Sequence, residues 1–289
     1  MTRIHPALRR SRTLPVATGL AVLGAFVLLV SGSASADMPV TGRPVPPPPT
    51  SPTNSDQIQN IDQVRTAIKG YYGDTVTSQL DPVNGTVALH QFNPAGAYAN
   101  EVGGIADDAM KYLVRPSAGS GTGTKAVLFD VDDTTLNTFS YEIYSNFAFN
   151  PTTNAAFVNA CLTATGCVFP AVPHMVALEQ FAEAQGYTVF FLTGRGISQH
   201  DGTVANLTDA GYDVDAANLY LKDASGATEP WLSPCAPTCT TIQYKSLTRQ
   251  HIESLGYDLV ANFGDQFSDL KGGFADATFK IPNPMYFLP

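Results

Sequence analysis

Between residue 125 and the C-terminus, continuous apolar runs alternate with segments whose apolar residues recur at helical spacing. The runs AVLFD, YTVFFLTG, NLYLK and DLVANFGD predict four buried strands, and ATFKI is a candidate fifth. Helical spacing marks PHMVALEQFAEAQG, VANLTDAG and YKSLTRQHIESLG, and also about residues 57–72 and 95–113. Because strands and helices alternate and the strands are apolar on both faces, we predict a three-layer α/β/α sandwich with a parallel, Rossmann-like sheet.

The N-terminus has a different pattern. Four arginines within the first twelve residues precede an apolar run over about residues 14–30, and SGSASAD with an A-x-A cleavage pattern follows. We interpret residues 1–36 as a removable signal peptide, with an uncleaved membrane anchor as the alternative. Residues 37–56 are rich in proline and predict a disordered linker. We therefore expect a secreted protein with one folded domain over residues 57–289.

The charge of the chain narrows its function. The four arginines are the only charged side chains of the predicted signal, so cleavage leaves 12 Lys and Arg against 25 Asp and Glu, a net charge of about −13. A protein this acidic repels phosphate backbones, so we expect no nucleic-acid polymer as partner. A small anionic substrate is compatible with this charge if a metal ion or local cations reverse the field at the site. Once the signal is cleaved, we expect no stable membrane association.

The four cysteines form two close pairs, Cys161 with Cys167 and Cys235 with Cys239. In an exported protein, an even number of cysteines at short spacing predicts two local disulfide bonds, each closing a loop. A zinc site made of all four thiolates is the alternative. Such sites normally contain the spacing C-x-x-C, which neither pair has, so we favour disulfide bonds.

Polar residues gather at the carboxyl ends of three predicted strands. In open α/β sheets the functional site lies beyond this edge, so we expect these side chains to lie close together. The residues concerned are Asp130, Asp132, Asp133, Thr193, Gly194, Asp265 and Asp269.

The three aspartates after the first strand do not fit two simple structural roles. An EF-hand calcium loop starting at Asp130 would need glycine and glutamate where the chain has Thr135 and Tyr141. One aspartate could cap a helix, but capping does not require three. Two carboxylates at positions i and i+2 could instead attack phosphorus and transfer a proton. Mg²⁺ would offset their repulsion, with Asp265 and Asp269 as further ligands.

Four short motifs, in order along the chain, support this interpretation. FDVDDTTL resembles the first motif, D-x-D-x-T, of the haloacid dehalogenase-like (HAD) hydrolases, and FFLTGR resembles their second motif. YKSLTR resembles their lysine motif, and FGDQFSDL their acidic motif G-D-x-x-x-D. Together with the C-terminal FKIPNPMYFLP, these motifs are similar to those of the secreted acid phosphatases related to plant vegetative storage proteins, called class B or subfamily IIIB. The resemblance extends from about residue 95 to the C-terminus.

The resemblance implies catalytic and phosphate-binding roles for individual residues. Asp130 would be the nucleophile, and Asp132 would be the general acid and base. Thr193 and Gly194 would bind the transferring phosphoryl group. Lys245 would hold the charges of the nucleophile and the phosphate together.

The resemblance also implies a metal site. Asp130, the backbone carbonyl of Asp132, and Asp265 would bind Mg²⁺. Asp269 would act as a ligand through water or would orient the other ligands. Asp133 occupies a variable position of the first motif, so we expect a solvated or structural carboxylate that tolerates substitution best.

Two further features concern the substrate. Arg195 follows Thr193 closely enough to contact the substrate, and a structural ion pair is equally compatible with its position. Residues 137–173 lie where HAD proteins insert their cap, and this short segment predicts a small cap. We therefore expect a secreted, Mg²⁺-dependent acid phosphatase that hydrolyses small phosphate monoesters through an aspartyl-phosphate. A phosphotransferase or a nucleotide-specific phosphatase of the same fold, and a non-enzymatic storage or binding protein, are the alternatives.

Overall fold

The computed structural model describes residues 51–119, 121–223 and 225–288. The predicted signal peptide lies outside the described residues, as does the predicted linker up to residue 50. Across the described ranges, no helix combines the length and the apolar character that crossing a membrane requires.

The described residues form seven strands and eight α-helices, which alternate in the C-terminal two thirds of the chain as the apolar pattern predicts. In chain order they are α1 Ile61–Tyr72, β1 Thr75–Leu80, β2 Ala88–Gln91, α2 Ala97–Leu113, β3 Thr124–Phe129, α3 Phe139–Tyr144, α4 Pro151–Val158, α5 Met175–Ala184, β4 Thr188–Gly196, α6 His200–Asp209, β5 Leu219–Lys222, α7 Thr241–Ser254, β6 Tyr257–Gly264, α8 Phe267–Leu270 and β7 Ala277–Lys280.

Five of the strands form one parallel sheet in the order β5-β4-β3-β6-β7. The predicted α/β/α architecture with a parallel sheet is confirmed, and ATFKI supplies the fifth strand. β3 lies at the centre, with β4 and β6 on either side. The residues that follow these three strands therefore meet at one edge of the sheet.

Two hydrophobic cores, one on each face of the sheet, explain the continuous apolar runs. In β3, Val127 and Phe129 enter the core that α2 and α5 cover. Ala126 and Leu128 point the other way, into the core that α7 covers. Phe129 also stacks on Phe263 of β6, with ring centroids 4.6 Å apart. Because burial of such a side chain contributes about 1.5–3 kcal/mol, β3 is held firmly at the base of the site.

The segment between β3 and α5 contains α3, α4 and a loop closed by a disulfide bond. That bond joins Cys161 and Cys167, and Cys235 forms the second disulfide bond with Cys239, so both predicted pairings are confirmed. β1 and β2 form a separate antiparallel hairpin that the apolar pattern did not predict. The role of residues 137–173 as a cap stays a prediction.

Candidate active site

The chain turns sharply at the carboxyl end of β3. The Asp130 N–H donates to the Phe263 carbonyl of β6 at 2.9 Å, which extends the sheet pairing by one residue. The N–H groups of Thr135 and Leu136 then both donate to the Val131 carbonyl, at 3.0 and 2.9 Å. These hydrogen bonds fix the loop that carries the three aspartates, which we call the aspartate loop (residues 130–136).

Lys245 reaches the Asp130 carboxylate from α7 and forms an ion pair with it. The Lys245 ammonium also donates to the Leu192 carbonyl at 2.6 Å and pairs with Asp269 Oδ1 at 3.3 Å. The side chains of Lys245 and Asp130 are only 2% and 8% exposed. Burial lowers the pKa of Lys245, but the ion pairs with Asp130 and Asp269 outweigh burial and raise this pKa above its usual value. The lysine is therefore charged at any physiological pH.

Three buried carboxylates converge beside this lysine. Oxygen atoms of Asp130, Asp265 and Asp269 lie within 4.8 Å of one another. Burial, followed by repulsion from Asp269, raises the pKa of Asp130 well above its usual value, with Lys245 acting in the opposite direction. Burial and then Asp269 also raise the pKa of Asp265 to about 8. Such a group of mutually repelling oxygen atoms has the chemistry of ligands for a hard divalent cation such as Mg²⁺.

Neighbours that the sequence analysis missed hold two of these carboxylates in place. Asp265 Oδ2 accepts hydrogen bonds from Gln266 Nε2 at 2.7 Å and from Asn283 Nδ2 at 2.6 Å. Asp269 Oδ2 accepts the Gln266 backbone N–H at 2.9 Å. A signal for Asn283 was present, because it lies in the C-terminal motif IPNPMY that the resemblance includes.

The Asp132 carboxylate pairs with a different cation, Arg195 at the end of β4. Arg195 Nη2 donates to Asp132 Oδ1 at 2.7 Å, and its Nε donates to Oδ2 at 3.1 Å, a forked arrangement. Thr193 Oγ1 donates to Asp132 Oδ2 at 3.4 Å, and the intervening Gly194 is exposed. The Asp132 side chain is 29% exposed and that of Arg195 only 3%. Two roles were considered for Arg195, a contact with the substrate and a structural ion pair, and the structure contains the ion pair. This ion pair holds Asp132 at the solvent side of the site.

Asp133 differs from the expectation of a position that tolerates substitution. It is fully buried, and its φ of 55° lies in the left-handed region. Its carboxylate accepts the Thr138 N–H at 3.0 Å, the Thr138 hydroxyl, and the Tyr286 hydroxyl at 2.9 Å. Burial raises the pKa of Asp133 to about 7, although these hydrogen bonds act against the increase. Asp133 is thus a structural carboxylate that ties the aspartate loop to α3 and to the C-terminal segment.

Glu142 of α3 is another residue to which the sequence analysis gave no role. It is 7% exposed. Burial, followed by repulsion from Asp132, raises the pKa of Glu142 to about 7. Its only signal in the sequence was its position in FSYEIY, shortly after the first motif.

The fold and the site together define a class of protein. The central strand of the parallel sheet is followed by Asp130 and Asp132, and a buried lysine and a second acidic loop lie beside Asp130. This is the arrangement expected of a HAD hydrolase. Residues 88–289 match the family described as HAD superfamily, subfamily IIIB (Acid phosphatase), and the chain belongs to this family. The resemblance inferred from the four motifs is therefore confirmed.

Three known proteins with different names are similar to this chain in sequence. Acid phosphatase 1 of Solanum lycopersicum is 31% identical over 192 residues, which cover 66% of this chain and 69% of that protein. The stem 28 kDa glycoprotein of Glycine max is 31% identical, over 56% of this chain and 59% of its own length. Vegetative storage protein 2 of Arabidopsis thaliana is 28% identical, over 56% of this chain and 56% of its own length. The chain thus spans less than two thirds of the length of the last two proteins.

Among solved structures, the class C acid phosphatase from Bacillus anthracis has a similar fold. The TM-score is 0.50 at 19% sequence identity, and the similarity covers 65% of this chain and 80% of that chain. At this identity the similarity supports the fold and not a shared substrate.

Proposed function

We propose that this protein is a secreted, Mg²⁺-dependent acid phosphatase that hydrolyses small phosphate monoesters through a phosphoryl group carried by Asp130. The observation that carries the proposal is the buried Asp130 carboxylate, which pairs with Lys245 and follows the central strand. Membership of the acid phosphatase family supports the reaction type. The two disulfide bonds and the predicted signal peptide support export, because such bonds persist in oxidising compartments.

In the first step, an Asp130 oxygen attacks the phosphorus atom, and the bond between phosphorus and the alcohol oxygen breaks. Asp132 gives its proton to that oxygen, so the alcohol leaves in neutral form. Lys245 neutralises charge on the phosphoryl oxygens, and the Thr193 hydroxyl turns from Asp132 to donate its hydrogen bond to one of them. The products of this step are the free alcohol and an aspartyl-phosphate at Asp130.

In the second step, Asp132 takes a proton from a water molecule, which attacks the phosphorus atom. The bond between Asp130 and phosphorus breaks, which releases inorganic phosphate and restores both carboxyl groups. The forked ion pair with Arg195 holds the Asp132 carboxylate in one place, which positions it to take the proton from water in this step.

Asp130, Asp265 and Asp269, together with the Asp132 backbone carbonyl, would hold Mg²⁺. The convergence of three buried carboxylates fits an ion that prefers oxygen ligands. When bound, the ion supplies positive charge that offsets the repulsion among the carboxylates and the charge of the phosphoryl oxygens.

The experiment that tests the function is a phosphate-release assay with an aryl phosphate across acidic to mildly alkaline pH, with Mg²⁺ or with EDTA. We expect the parent protein to turn over with Mg²⁺ and to lose activity in EDTA. Asp130→Asn should lower kcat by about a thousandfold or more, because the amide cannot form the intermediate. Asp209→Asn, which changes an exposed carboxylate at the end of α6, is the matched control and should keep parental activity.

Two results would contradict the mechanism. Near-parental activity of folded Asp130→Asn would exclude Asp130 as nucleophile, and activity indifferent to EDTA would exclude the metal. The name of vegetative storage protein 2 supports a storage role as the second candidate. Absence of turnover with every ester and at every pH would favour that role. Product analysis with an added alcohol would separate hydrolysis from phosphotransfer.

A further inference from the structure

Three successive residues of α3 are occupied by contacts with other elements. Successive side chains of an α-helix point about 100° apart. Phe139 stacks on Tyr72 of α1, with ring centroids 4.6 Å apart. Ser140 Oγ accepts the His90 N–H of β2 at 3.1 Å. Tyr141 packs edge to face on an aromatic ring of α4 at 5.3 Å. These contacts fix the rotation of α3 about its axis.

The Glu142 side chain points in the direction that these three residues leave free, toward the aspartate loop. It lies one helical turn after Thr138, so the two side chains share a face of α3. Thr138 donates two hydrogen bonds to Asp133 on that face. Repulsion from Asp132 contributes to the raised pKa of Glu142, and repulsion from Glu142 contributes to the raised pKa of Asp133.

The Glu142 carboxylate accepts no hydrogen bond from the described residues. Within the described part of the chain, no donor and no cation lies within bonding distance of it, although the residue is only 7% exposed. Buried carboxylates are normally paired or hydrogen-bonded, because leaving them unpaired is unfavourable. A donor supplied by a ligand would meet this requirement.

We propose that Glu142 selects the leaving alcohol of the substrate: it favours alcohols that carry an ammonium or hydroxyl group near the ester carbon, and it disfavours alcohols that carry a second anion. This inference rests on the proposed function, in which Asp132 protonates the leaving oxygen. Because Glu142 neighbours Asp132, it faces the alcohol and not the phosphoryl group. A donor on the alcohol supplies the missing hydrogen bond, whereas a carboxylate or second phosphate adds negative charge beside Asp132, Asp133 and Glu142.

The test compares three esters of similar size at one fixed, mildly alkaline pH, where Glu142 is charged, and at saturating Mg²⁺: 2-aminoethyl phosphate, ethyl phosphate and 2-carboxyethyl phosphate. We expect kcat/KM of the parent enzyme to be at least tenfold higher for the aminoethyl than for the carboxyethyl ester, with ethyl phosphate in between. Glu142→Gln should reduce this ratio at least fivefold, because the amide has no charge. Glu253→Gln, in the last turn of α7, is the matched control and should keep the parental ratio.

Each outcome decides the inference. If Glu142→Gln leaves the ratio within twofold of the parental value, the inference is overturned while the proposed function stands, because the esters are still hydrolysed. A parent enzyme that prefers the carboxyethyl ester overturns the inference as well, and this measurement does not depend on the folding of any variant. If none of the three esters releases phosphate while an aryl phosphate is still hydrolysed, the inference is overturned and the proposed function stands; if the aryl phosphate is not hydrolysed either, both fail.

Discussion

Asp130, Asp132 and Asp133 lie within four positions of the chain, and each has a different partner. Asp130 pairs with the buried Lys245, and Asp132 pairs with Arg195. Asp133 has no cation among its hydrogen-bond partners in the described residues and accepts hydrogen bonds from N–H and hydroxyl groups instead. Two of the three carboxylates therefore pair with a cation, and the pKa of the third is raised to about 7. This explains how the aspartate loop accommodates three acidic residues.

Replacing Asp133 by alanine should destabilise the fold. The change leaves the Thr138 N–H, the Thr138 hydroxyl and the Tyr286 hydroxyl without their acceptor. It also places alanine at a φ of 55°, which aspartate and asparagine adopt more readily. We expect a loss of about 2–4 kcal/mol in the free energy of unfolding, measured by urea denaturation. Asp133→Asn keeps one acceptor oxygen and should lose less, so equal losses for the two variants would contradict this account.

At the scale of elements, the apolar runs predicted all five strands of the sheet because burial on both faces requires continuous apolar sequence. The hairpin of β1 and β2 was missed because every residue of TVTSQL is exposed or half-buried, so the strand has no apolar run. α3 and α4 have 6 and 8 residues, which is too short for helical spacing to be recognised.

The site could be predicted only where a motif or the fold rule identified a residue. The position of Asp130 and Asp265 after neighbouring strands placed them at one edge of the sheet. No pattern in the sequence pairs Asp132 with Arg195, which is 63 positions away, or Asp265 with Asn283, which is 18 positions away. Tertiary packing decides such pairs, and a single sequence does not record it.

The C-terminal segment, residues 283–288, packs against the loop that carries Asp265 and Asp269. Besides the hydrogen bond from Asn283 to Asp265, the Leu288 N–H donates to Gln266 Oε1 at 3.0 Å. This segment therefore fixes the ligands on the β6 side of the proposed metal site, and we expect its side chains to affect metal affinity.

Asn283→Ala removes one of the two amide donors to Asp265 Oδ2. The loss leaves Asp265 less firmly oriented and removes a hydrogen bond that lowers its pKa. We expect the Mg²⁺ concentration for half-maximal activity to increase about tenfold, as measured by Mg²⁺ titration of phosphate release. Addition of Mg²⁺ should also raise the Tm of this variant by less than it raises the Tm of the parent protein. Asn100→Ala, on the exposed face of α2, is the control, and an equal Mg²⁺ requirement for both variants would refute the role of Asn283.

Over the whole molecule, acidic side chains outnumber basic ones by 25 to 16, and several of them are buried. Burial raises the pKa of Asp133, Glu142 and Glu179 to about 7. A carboxyl group whose pKa is higher in the folded than in the unfolded chain stabilises the fold fully below the unfolded pKa. That contribution is lost as the pH rises through the folded pKa. These three groups therefore make the folded state more stable in mild acid than in mild alkali.

Glu179 of α5 tests this pH dependence, because it has no role in the proposed reaction. Burial, followed by repulsion from Glu183, raises its pKa, and glutamine keeps its shape without a charge. At pH 5 we expect Glu179→Gln and the parent to have free energies of unfolding within about 0.5 kcal/mol, and at pH 8.5 we expect the variant to be more stable by about 1–3 kcal/mol. Urea denaturation at both pH values measures the difference, and Asp209→Asn, which replaces an exposed carboxylate, should show no such gain. A gain of equal size at both pH values would mean that Glu179 does not titrate as its burial requires.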